Sequence, residues 1–256
     1  MDSRRFLSLA ILLSLTLSAC GGSSGTGVDG ASSASSTVQI SSAAATHDSQ
    51  SSTSSTSSVA SVASDSSDIL LNVPFTSQAP FGVWDPLHEE TCEEAALIMA
   101  EHFIKGTPLT PAIAEAEMQD LVLWEREHGY SQDVTAMQMA DIARNKLDIR
   151  ASIRTQVTKQ TIIDQLAAGF PVIIPAAGRD LGNPYFSGAG PWYHAIVIIG
   201  YRKTWFNEYF ITNDPGTKRG AKYEYKVQMV LDAIHDWVGM NERIREGRKV
   251  MIILQK

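Results

Sequence analysis

A serine-rich stretch of low complexity divides this chain and limits where a fold can form. In residues 21–67 roughly two residues in five are serine, none is aromatic, and large aliphatic side chains are few. Such a composition cannot bury enough apolar surface to form a core, so we expect a flexible tether with a reach of roughly 40 Å. A plain spacer is the simpler interpretation, although a glycosylated stalk has the same composition. Residues 68–256 remain for a folded part, and their number is enough for one domain.

The first 20 residues have the pattern of an export signal. Arg4 and Arg5 precede an apolar run at residues 6–17, and two small residues follow before Cys20. The run is 12 residues long, whereas a membrane-spanning helix needs about 20. The sequence LSAC at residues 17–20 resembles the bacterial lipobox, in which the cysteine is acylated and becomes the new N-terminus.

This resemblance implies three segments with different properties. They are a signal peptide with its lipobox at residues 1–19, a disordered tether at 20–67 and a folded domain at 68–256. Acyl chains on Cys20 would hold the protein on the extracytoplasmic face of the cell membrane. The alternative is an ordinary signal peptide that is cleaved nearby and leaves Cys20 as a free thiol.

Charge and cysteine content limit which binding partners and which disulfides the folded part can have. Residues 68–256 contain 19 Lys and Arg against 24 Asp and Glu, a net charge of −5, and no basic block. We therefore expect no nucleic-acid partner. Cys92 is the only other cysteine, so it has no intramolecular disulfide partner if Cys20 is acylated. An unpaired thiol in an exported protein indicates a chemical role.

Hydrophobic periodicity and turn residues predict an α+β domain in which helices precede strands. The expected helices lie at residues 91–105, 111–128, 134–146, 158–169 and near 227–237. The expected strands lie at residues 149–155, 170–176, 193–201, 207–214 and 249–254. The third and fourth of these strands are joined by a turn and predict an antiparallel hairpin. This order favours N-terminal helices packed on an antiparallel sheet over alternating βαβ units.

Cys92 is predicted to be the first residue inside the first helix. Thr91 and Glu94 have the spacing of a capping box, with Thr91 as the N-cap. The helix dipole and the free amide groups at this end stabilise a thiolate, which is the nucleophilic form of cysteine. The negative charges of Glu93 and Glu94 oppose thiolate formation. Helix position alone leaves a buried structural cysteine as an equal alternative.

A nucleophilic thiol needs a base, and His194 has the most suitable context of the six histidines. It opens the apolar strand HAIVIIGY directly after a glycine-rich loop. In the expected hairpin, residue 213 or 214 lies opposite His194. Asp214 precedes Pro215, and Asn213 is the alternative partner, but adjacent strand residues point to opposite faces, so only one of them can orient the imidazole. A helix-start cysteine, a histidine and an aspartate together favour catalysis.

Four short motifs, VPFTSQ, TCEEAA, HAIVIIGY and NDPG, resemble those of bacterial cysteine-peptidase family 39. This family comprises the bacteriocin-processing or double-glycine-leader peptidases and their stand-alone relatives. The resemblance implies a papain-like fold over residues 69–256, with Cys92 as nucleophile, His194 as base and Asp214 as the residue that orients the base. It also implies Gln78 as the oxyanion-hole donor. Two features depart from the family: the segment between glutamine and cysteine is longer here, and two glutamates follow the cysteine where small residues are usual.

The remaining polar groups have simpler interpretations. Glu89, Glu90, Glu93 and Glu94 are expected to form a solvated acidic rim, with a subsite for basic substrates as the alternative. No cysteine pair or histidine cluster has the spacing of a zinc site, so we expect no metal and no other cofactor. The glycine-rich loop at residues 178–190 lacks the spacing of a phosphate-binding loop and is expected to cover the substrate.

These features predict an exported, membrane-anchored thiol hydrolase that cleaves amide bonds in a peptide or protein substrate. A cell-wall amidase or endopeptidase acting on peptidoglycan peptides is the second possibility, since other papain-like families cut these bonds. The third is a catalytically silent peptide-binding module of the same fold. The presence of Cys92, His194 and Asp214 argues against the third, because a pure binding module does not need all of them.

Overall fold

The computed structural model describes residues 68–256 of the chain. The predicted signal peptide, the lipobox with Cys20 and the serine-rich tether lie outside the described residues, so those expectations stay predictions. Within residues 68–256 no helix combines the length and the apolar character that crossing a membrane requires.

Helices and strands follow one another in the predicted order. The described residues form five helices: α1 (Cys92–Lys105), α2 (Pro111–Glu127), α3 (Ala136–Asn145), α4 (Lys159–Ala167) and α5 (Val227–Ala233). They also form seven strands: β1 (Ile69–Leu70), β2 (Arg150–Arg154), β3 (Val172–Ala177), β4 (Tyr193–Lys203), β5 (Glu208–Asn213), β6 (Tyr223–Lys226) and β7 (Met251–Gln255). Two short 3-10 segments, Gly178–Leu181 and Asn241–Glu246, lie in loops.

The seven strands join one antiparallel sheet in the order β2-β7-β3-β4-β5-β6, with β1 paired to β4. Successive residues of β4 enter two different cores. Ala195, Val197 and Ile199 pack with α1, α2 and α3, whereas Ile196 and Ile198 pack with α4 and α5 on the opposite face. The predicted α+β class, with N-terminal helices packed on an antiparallel sheet, is confirmed, and a second helical layer covers the other face.

The β4–β5 hairpin forms as predicted, but its register differs from the expected one. The turn at residues 204–207 sets the register, an irregularity between Ile198 and Gly200 shifts it by one residue, and Asn213 then pairs with Val197, three residues beyond His194. Asp214 therefore does not approach His194 from an opposite strand position. It reaches the histidine from the turn that follows β5.

The predicted capping box at the start of α1 is wrong. Thr91 is the N-cap, but its side chain makes no capping hydrogen bond. Its Oγ1 donates instead to the carbonyl oxygen of Gln78 at 3.2 Å. Glu94 is buried and hydrogen-bonds Glu125 of α2 instead of the N-cap backbone.

The C-terminal helix is shorter than the sequence predicts. It ends at Ala233 rather than near residue 237, because the next residue, Ile234, forms a β-bridge to Ala176. The following N–H, that of His235, donates to the carbonyl oxygen of Pro175 at 3.1 Å. Pairing with β3 therefore replaces the last helical turn.

Candidate active site

His194 lies near the start of β4 and is buried. Its backbone pairs with Ala176 of β3, so the centre of the sheet sets its position. The ring of Phe186 packs edge-on against the imidazole, with ring centroids 5.3 Å apart. At Gly216 a side chain has no room, because a Cβ atom there would lie 2.8 Å from Cε1 of the imidazole. Sheet, loop and turn together hold the ring in one orientation.

Asp214 is fully buried and bonds the imidazole. His194 Nε2 donates to Asp214 Oδ1 at 2.7 Å, and the Gly216 N–H donates to the same oxygen at 3.0 Å. Oδ2 accepts from Asn183 Nδ2 at 3.0 Å and from the Tyr225 hydroxyl at 2.5 Å. Because Nε2 is engaged by the carboxylate, Nδ1 is the nitrogen that can take a proton from a nucleophile.

These contacts set the charge of the histidine–aspartate pair. Burial alone would raise the pKa of Asp214, but the charge of His194 and the hydrogen bonds from His194, Tyr225 and Asn183 outweigh it and lower that pKa. The carboxylate is therefore ionised at neutral pH, where it can stabilise an imidazolium. Burial, together with the charge of Asp214, raises the pKa of the Tyr225 hydroxyl, which stays a proton donor.

Asn213, the alternative partner of His194, bonds elsewhere. Its Nδ2 donates to the carbonyl oxygens of Val73 and Pro74 at 3.2 and 3.1 Å. Its Oδ1 accepts from the N–H of Lys222 at 3.1 Å. Asn213 thus ties the end of β5 to the segment after β1.

Cys92 is the first residue of α1, as predicted, and is 5% exposed. The N–H of Ala195, the residue after His194, hydrogen-bonds the sulfur and favours the thiolate. The thiol itself donates to Glu93 Oε2 at 2.9 Å rather than to the imidazole. Burial, followed by the charge and the hydrogen bond of Glu93, raises the pKa of the Cys92 thiol well above its ordinary value. In this conformation the helix-start position does not produce a thiolate.

Glu93 is a fully buried carboxyl group beside the thiol. Its Oε1 accepts from the Val134 N–H at 3.0 Å, while Oε2 accepts from Cys92. Burial raises the pKa of Glu93 to about 8, although both hydrogen bonds act in the opposite direction. At neutral pH most molecules therefore keep a proton on this carboxyl group.

The predicted solvated acidic rim is wrong for two of its four members. Glu89 and Glu90 are exposed, but Glu93 and Glu94 are buried because α1 is covered by the sheet and by α2 and α3. Glu94 hydrogen-bonds Glu125 of α2; burial, followed by the charge of Glu125, raises the pKa of Glu94. Burial raises the pKa of Glu125 to about 7. Glu90, Glu94 and Glu125 line a cavity of about 90 Å³.

Gln78 is buried and lies between the histidine–aspartate pair and Cys92. Its N–H donates to the Pro215 carbonyl oxygen at 3.0 Å, and its carbonyl oxygen accepts from Thr91 Oγ1. It is thus tied to the residues next to the aspartate and the cysteine. Its Nε2 donates to the His88 carbonyl oxygen at 2.8 Å, and its second N–H has no hydrogen-bond partner among residues 68–256. The longer spacing to the cysteine does not remove Gln78 from the site.

His88 anchors the longer segment before α1. Its Nδ1 bonds Asp85 Oδ1 at 2.8 Å, and its Nε2 bonds Glu115 of α2 at 3.0 Å. The imidazole therefore lies between two carboxylates and makes no bond to Cys92. In the described part of the chain, no group of three or more His, Cys, Asp or Glu residues could hold a metal ion.

Sequence reasoning missed three residues that support the histidine–aspartate pair. Asn183 and Phe186 belong to the glycine-rich loop that was expected to cover the substrate, and here they contact Asp214 and His194. Tyr225 comes from β6, a strand that the sequence analysis does not predict. The alternation of aromatic and charged residues in YEYK is the signal that indicates this strand.

Comparisons with known proteins concern the family of the chain rather than its site. No curated protein matches the chain. A crystal structure of a protein described as a candidate C39-like peptidase, from Bacillus anthracis, is 16% identical, covers 75% of this chain and 99% of its own, and has a TM-score of 0.48. The Peptidase_C39 like family matches residues 70–243, a range that contains Gln78, Cys92, His194 and Asp214. The chain therefore belongs to the Peptidase_C39 like family.

Proposed function

We propose that this protein is an exported, membrane-anchored cysteine peptidase that hydrolyses amide bonds with Cys92, His194 and Asp214. The observation that carries the proposal is the buried His194–Asp214 pair, joined at 2.7 Å, with the Ala195 N–H against the sulfur of Cys92. Membership of a peptidase-like family supports an amide-cleaving reaction. A peptide or protein is the substrate class that such a site acts on.

The reaction begins when the Cys92 thiol gives its proton to Nδ1 of His194. In the described conformation the thiol bonds Glu93, so this step requires the thiol to leave that carboxyl group for the imidazole. The Asp214 carboxylate stabilises the imidazolium that forms. The sulfur then attacks the carbonyl carbon of the substrate, and the carbonyl oxygen takes the displaced electron pair. The free Nε2–H of Gln78 and the backbone N–H of Cys92 stabilise this oxyanion.

The intermediate collapses when the imidazolium protonates the leaving amine. The carbon–nitrogen bond breaks, and the acyl group stays on Cys92 as a thioester. His194 then accepts a proton from a water molecule, which attacks the thioester. The carbon–sulfur bond breaks, the carboxylic product leaves, and the sulfur regains its proton from the imidazolium.

A thiol-directed activity probe and two digests test this proposal. The full chain is incubated with the probe and, separately, with a peptide library and with purified peptidoglycan. We expect labelling of Cys92 and cleavage of a substrate, both abolished in Cys92→Ala, with slower labelling in His194→Ala. Absence of labelling and of cleavage would overturn the proposal. Cleavage of peptidoglycan alone would assign the cell-wall reaction.

A catalytically silent peptide-binding module is the second candidate, and the Cys92–Glu93 contact is the observation that favours it. A thiol held by a buried carboxyl group, with a raised pKa, is a poor nucleophile. A binding module would retain its affinity for peptides in Cys92→Ala and would show no turnover in either form. Turnover by the wild-type chain that disappears in Cys92→Ala rules this candidate out.

The membrane anchor is a separate part of the proposal. If Cys20 is acylated, Cys20→Ala should release the protein from the membrane fraction or block its maturation, because one acylated residue carries the anchoring. Cys92→Ala removes the other thiol and serves as the matched control, which should stay on the membrane. Fractionation followed by immunoblotting measures both. Unchanged membrane association of Cys20→Ala would indicate an uncleaved signal helix instead.

A further inference from the structure

The turn between β4 and β5 presents two large aromatic side chains to solvent. Trp205 is 91% exposed and Phe206 is 87% exposed, the two highest values among the large apolar side chains of residues 68–256. The turn is closed beneath them by Thr204 and Asn207. The Thr204 N–H and Oγ1 both donate to the Asn207 carbonyl oxygen, at 2.8 and 2.9 Å, and the Asn207 N–H donates back to Oγ1 at 3.0 Å. A hydrogen-bonded turn thus holds both rings outside the domain.

Basic side chains surround this aromatic turn. Lys159, Lys203 and Lys226 line a groove of about 530 Å³ that borders it. Two acidic groups lie nearby: Glu208 forms a salt bridge with Lys159 at 2.9 Å, and Asp68 Oδ1 accepts from the backbone N–H of Lys203 at 3.1 Å. Lys203 and Lys226 form no salt bridge with any described residue. The charge of Lys203 also acts on Glu208. Although the domain carries a net negative charge, three lysines face two acidic groups around the turn, so this region is net positive.

The serine-rich segment joins the domain beside this turn. Asp68 follows the segment directly and bonds Lys203, and β1 pairs Ile69 with Tyr201 on the same hairpin. A flexible tether of roughly 40 Å lets the domain rotate, but it also raises the effective concentration of the membrane around the domain, so that weak surface contacts can decide which face binds. This step rests on the proposed anchor at Cys20: in an anchored chain the hairpin is the part of the domain with the shortest path along the chain to the membrane.

We propose that the Trp205–Phe206 turn inserts into the interfacial layer of an anionic membrane and fixes the orientation of the domain on it. Tryptophan is enriched at membrane–water interfaces, where its ring lies at the level of the headgroups. Phenylalanine beside it adds apolar area, and nearby lysines are attracted to anionic headgroups. The membrane therefore matches both the apolar tip and the charge around it.

Quenching of tryptophan fluorescence by brominated lipid tests this proposal. The full chain is reconstituted into vesicles of phosphatidylcholine and phosphatidylglycerol, with and without bromine on the acyl chains. All five tryptophans lie in residues 68–256, and none lies in the predicted signal peptide or tether. We expect brominated vesicles to quench part of the emission, and Trp205→Phe to remove most of this quenching. Lys203→Gln combined with Lys226→Gln should reduce it in proportion to the anionic lipid content.

Trp84→Phe is the matched control for a tryptophan at another exposed position. Trp84 is 42% exposed and lies in the segment before α1. Its substitution should leave the quenching unchanged. Quenching that persists in Trp205→Phe, that disappears in Trp84→Phe, or that is absent from the wild-type chain would overturn the proposal; in the last case the turn would have a different occupant, such as a protein. Peptidase activity is not used as a readout, so the result is independent of the proposed reaction.

Discussion

The candidate active site has a sheet side, with His194 and Asp214, and a helix side, with Cys92 and Glu93. Both are buried, yet the pKa of the carboxyl group is lowered on the sheet side and raised on the helix side. On the sheet side, Asp214 accepts four hydrogen bonds and has a lowered pKa. On the helix side, Glu93 accepts two, from Val134 and from Cys92, and has a pKa raised to about 8. Burial raises the pKa of a carboxyl group in both places. The number of donors and the charge on the donating imidazole decide the outcome.

This difference indicates which half of the site limits the reaction. The imidazole is already oriented by a carboxylate, and its Nδ1 is ready to accept a proton. The thiol must first leave a carboxyl group that is itself mostly protonated at neutral pH. Changes on the sheet side should therefore abolish function. Replacing the helix-side carboxyl group should free the thiol and, above about pH 8, where Glu93 is ionised, should increase its reactivity.

Among the residues that support Cys92 and His194, Asp214 should have the largest effect on turnover when it is replaced. Asp214→Asn removes the charge that stabilises the imidazolium, and we expect a loss on the order of 10⁴-fold in kcat, as for the analogous change in a serine-protease triad. Asp214→Ala should also lower turnover by orders of magnitude. Both are measured with the substrate that the digests identify, and circular dichroism monitors the fold.

Asn213→Ala is the matched control for the aspartate. It removes hydrogen bonds to Val73 and Pro74, which lowers stability, but it leaves the imidazole and its carboxylate in place. We expect a lower melting temperature with a much smaller loss of turnover. A larger catalytic loss in Asn213→Ala than in Asp214→Ala would transfer the orienting role to Asn213.

Gln78→Ala should have the second largest effect. Removing one oxyanion-hole donor typically costs about 10² to 10³ in rate, so turnover should fall by that factor. Alkylation of Cys92 by iodoacetamide forms no oxyanion, so its rate should be nearly unchanged. Exposed Gln132→Ala is the control for the amide-to-methyl change. An equal loss in turnover and in alkylation would show that Gln78 acts only by holding the structure together.

The sequence predicts the sheet half of the site better than the helix half. The apolar strand pattern HAIVIIGY and the proline after Asp214 can be recognised from neighbouring residues alone. His194 and Asp214 could therefore be identified without the structure. The burial of Glu93 and Glu94 could not, because it depends on α2 and α3 covering a helix whose charged residues suggest an exposed face. The same limit applies to Asn183, which approaches Asp214 from a loop 31 residues earlier in the chain, and to Tyr225, whose strand β6 is not predicted.

Glu93→Gln tests the helix half directly. Burial of the thiol remains, but the negative charge and the carboxylate acceptor are lost, so the pKa of Cys92 should fall toward its ordinary value. We expect iodoacetamide to alkylate Cys92 about tenfold faster at pH 9, where Glu93 of the wild-type chain is ionised, because the thiolate is the reactive form. Exposed Glu89→Gln should leave the rate unchanged. An unchanged or slower rate in Glu93→Gln would mean that access, not the carboxyl group, limits the thiol.

The smallest expected effect is a decline in stability as pH rises. Burial raises the pKa of Glu93 to about 8, of Glu125 to about 7 and of Asp133 to about 6, and burial is also the largest cause of the raised pKa of Glu94. Between the ordinary carboxyl pKa and about 8, the folded state therefore binds more protons than the unfolded state. The free energy of unfolding must decrease with rising pH in this window. Asp214, whose pKa is lowered, has the opposite effect and loses its contribution only in more acidic solution.

Scanning calorimetry of the full chain across this window measures the effect. The melting temperature should be at least about 5 °C lower at pH 8.5 than at pH 5, since 1 kcal/mol shifts it by about 2–4 °C in a domain of this size. Glu94→Gln removes one of the responsible groups without changing its shape and should flatten the dependence, while exposed Glu89→Gln should not. A melting temperature that rises with pH would mean that these buried carboxyl groups ionise without cost. The contrast between the two halves of the site would then have to rest on geometry alone.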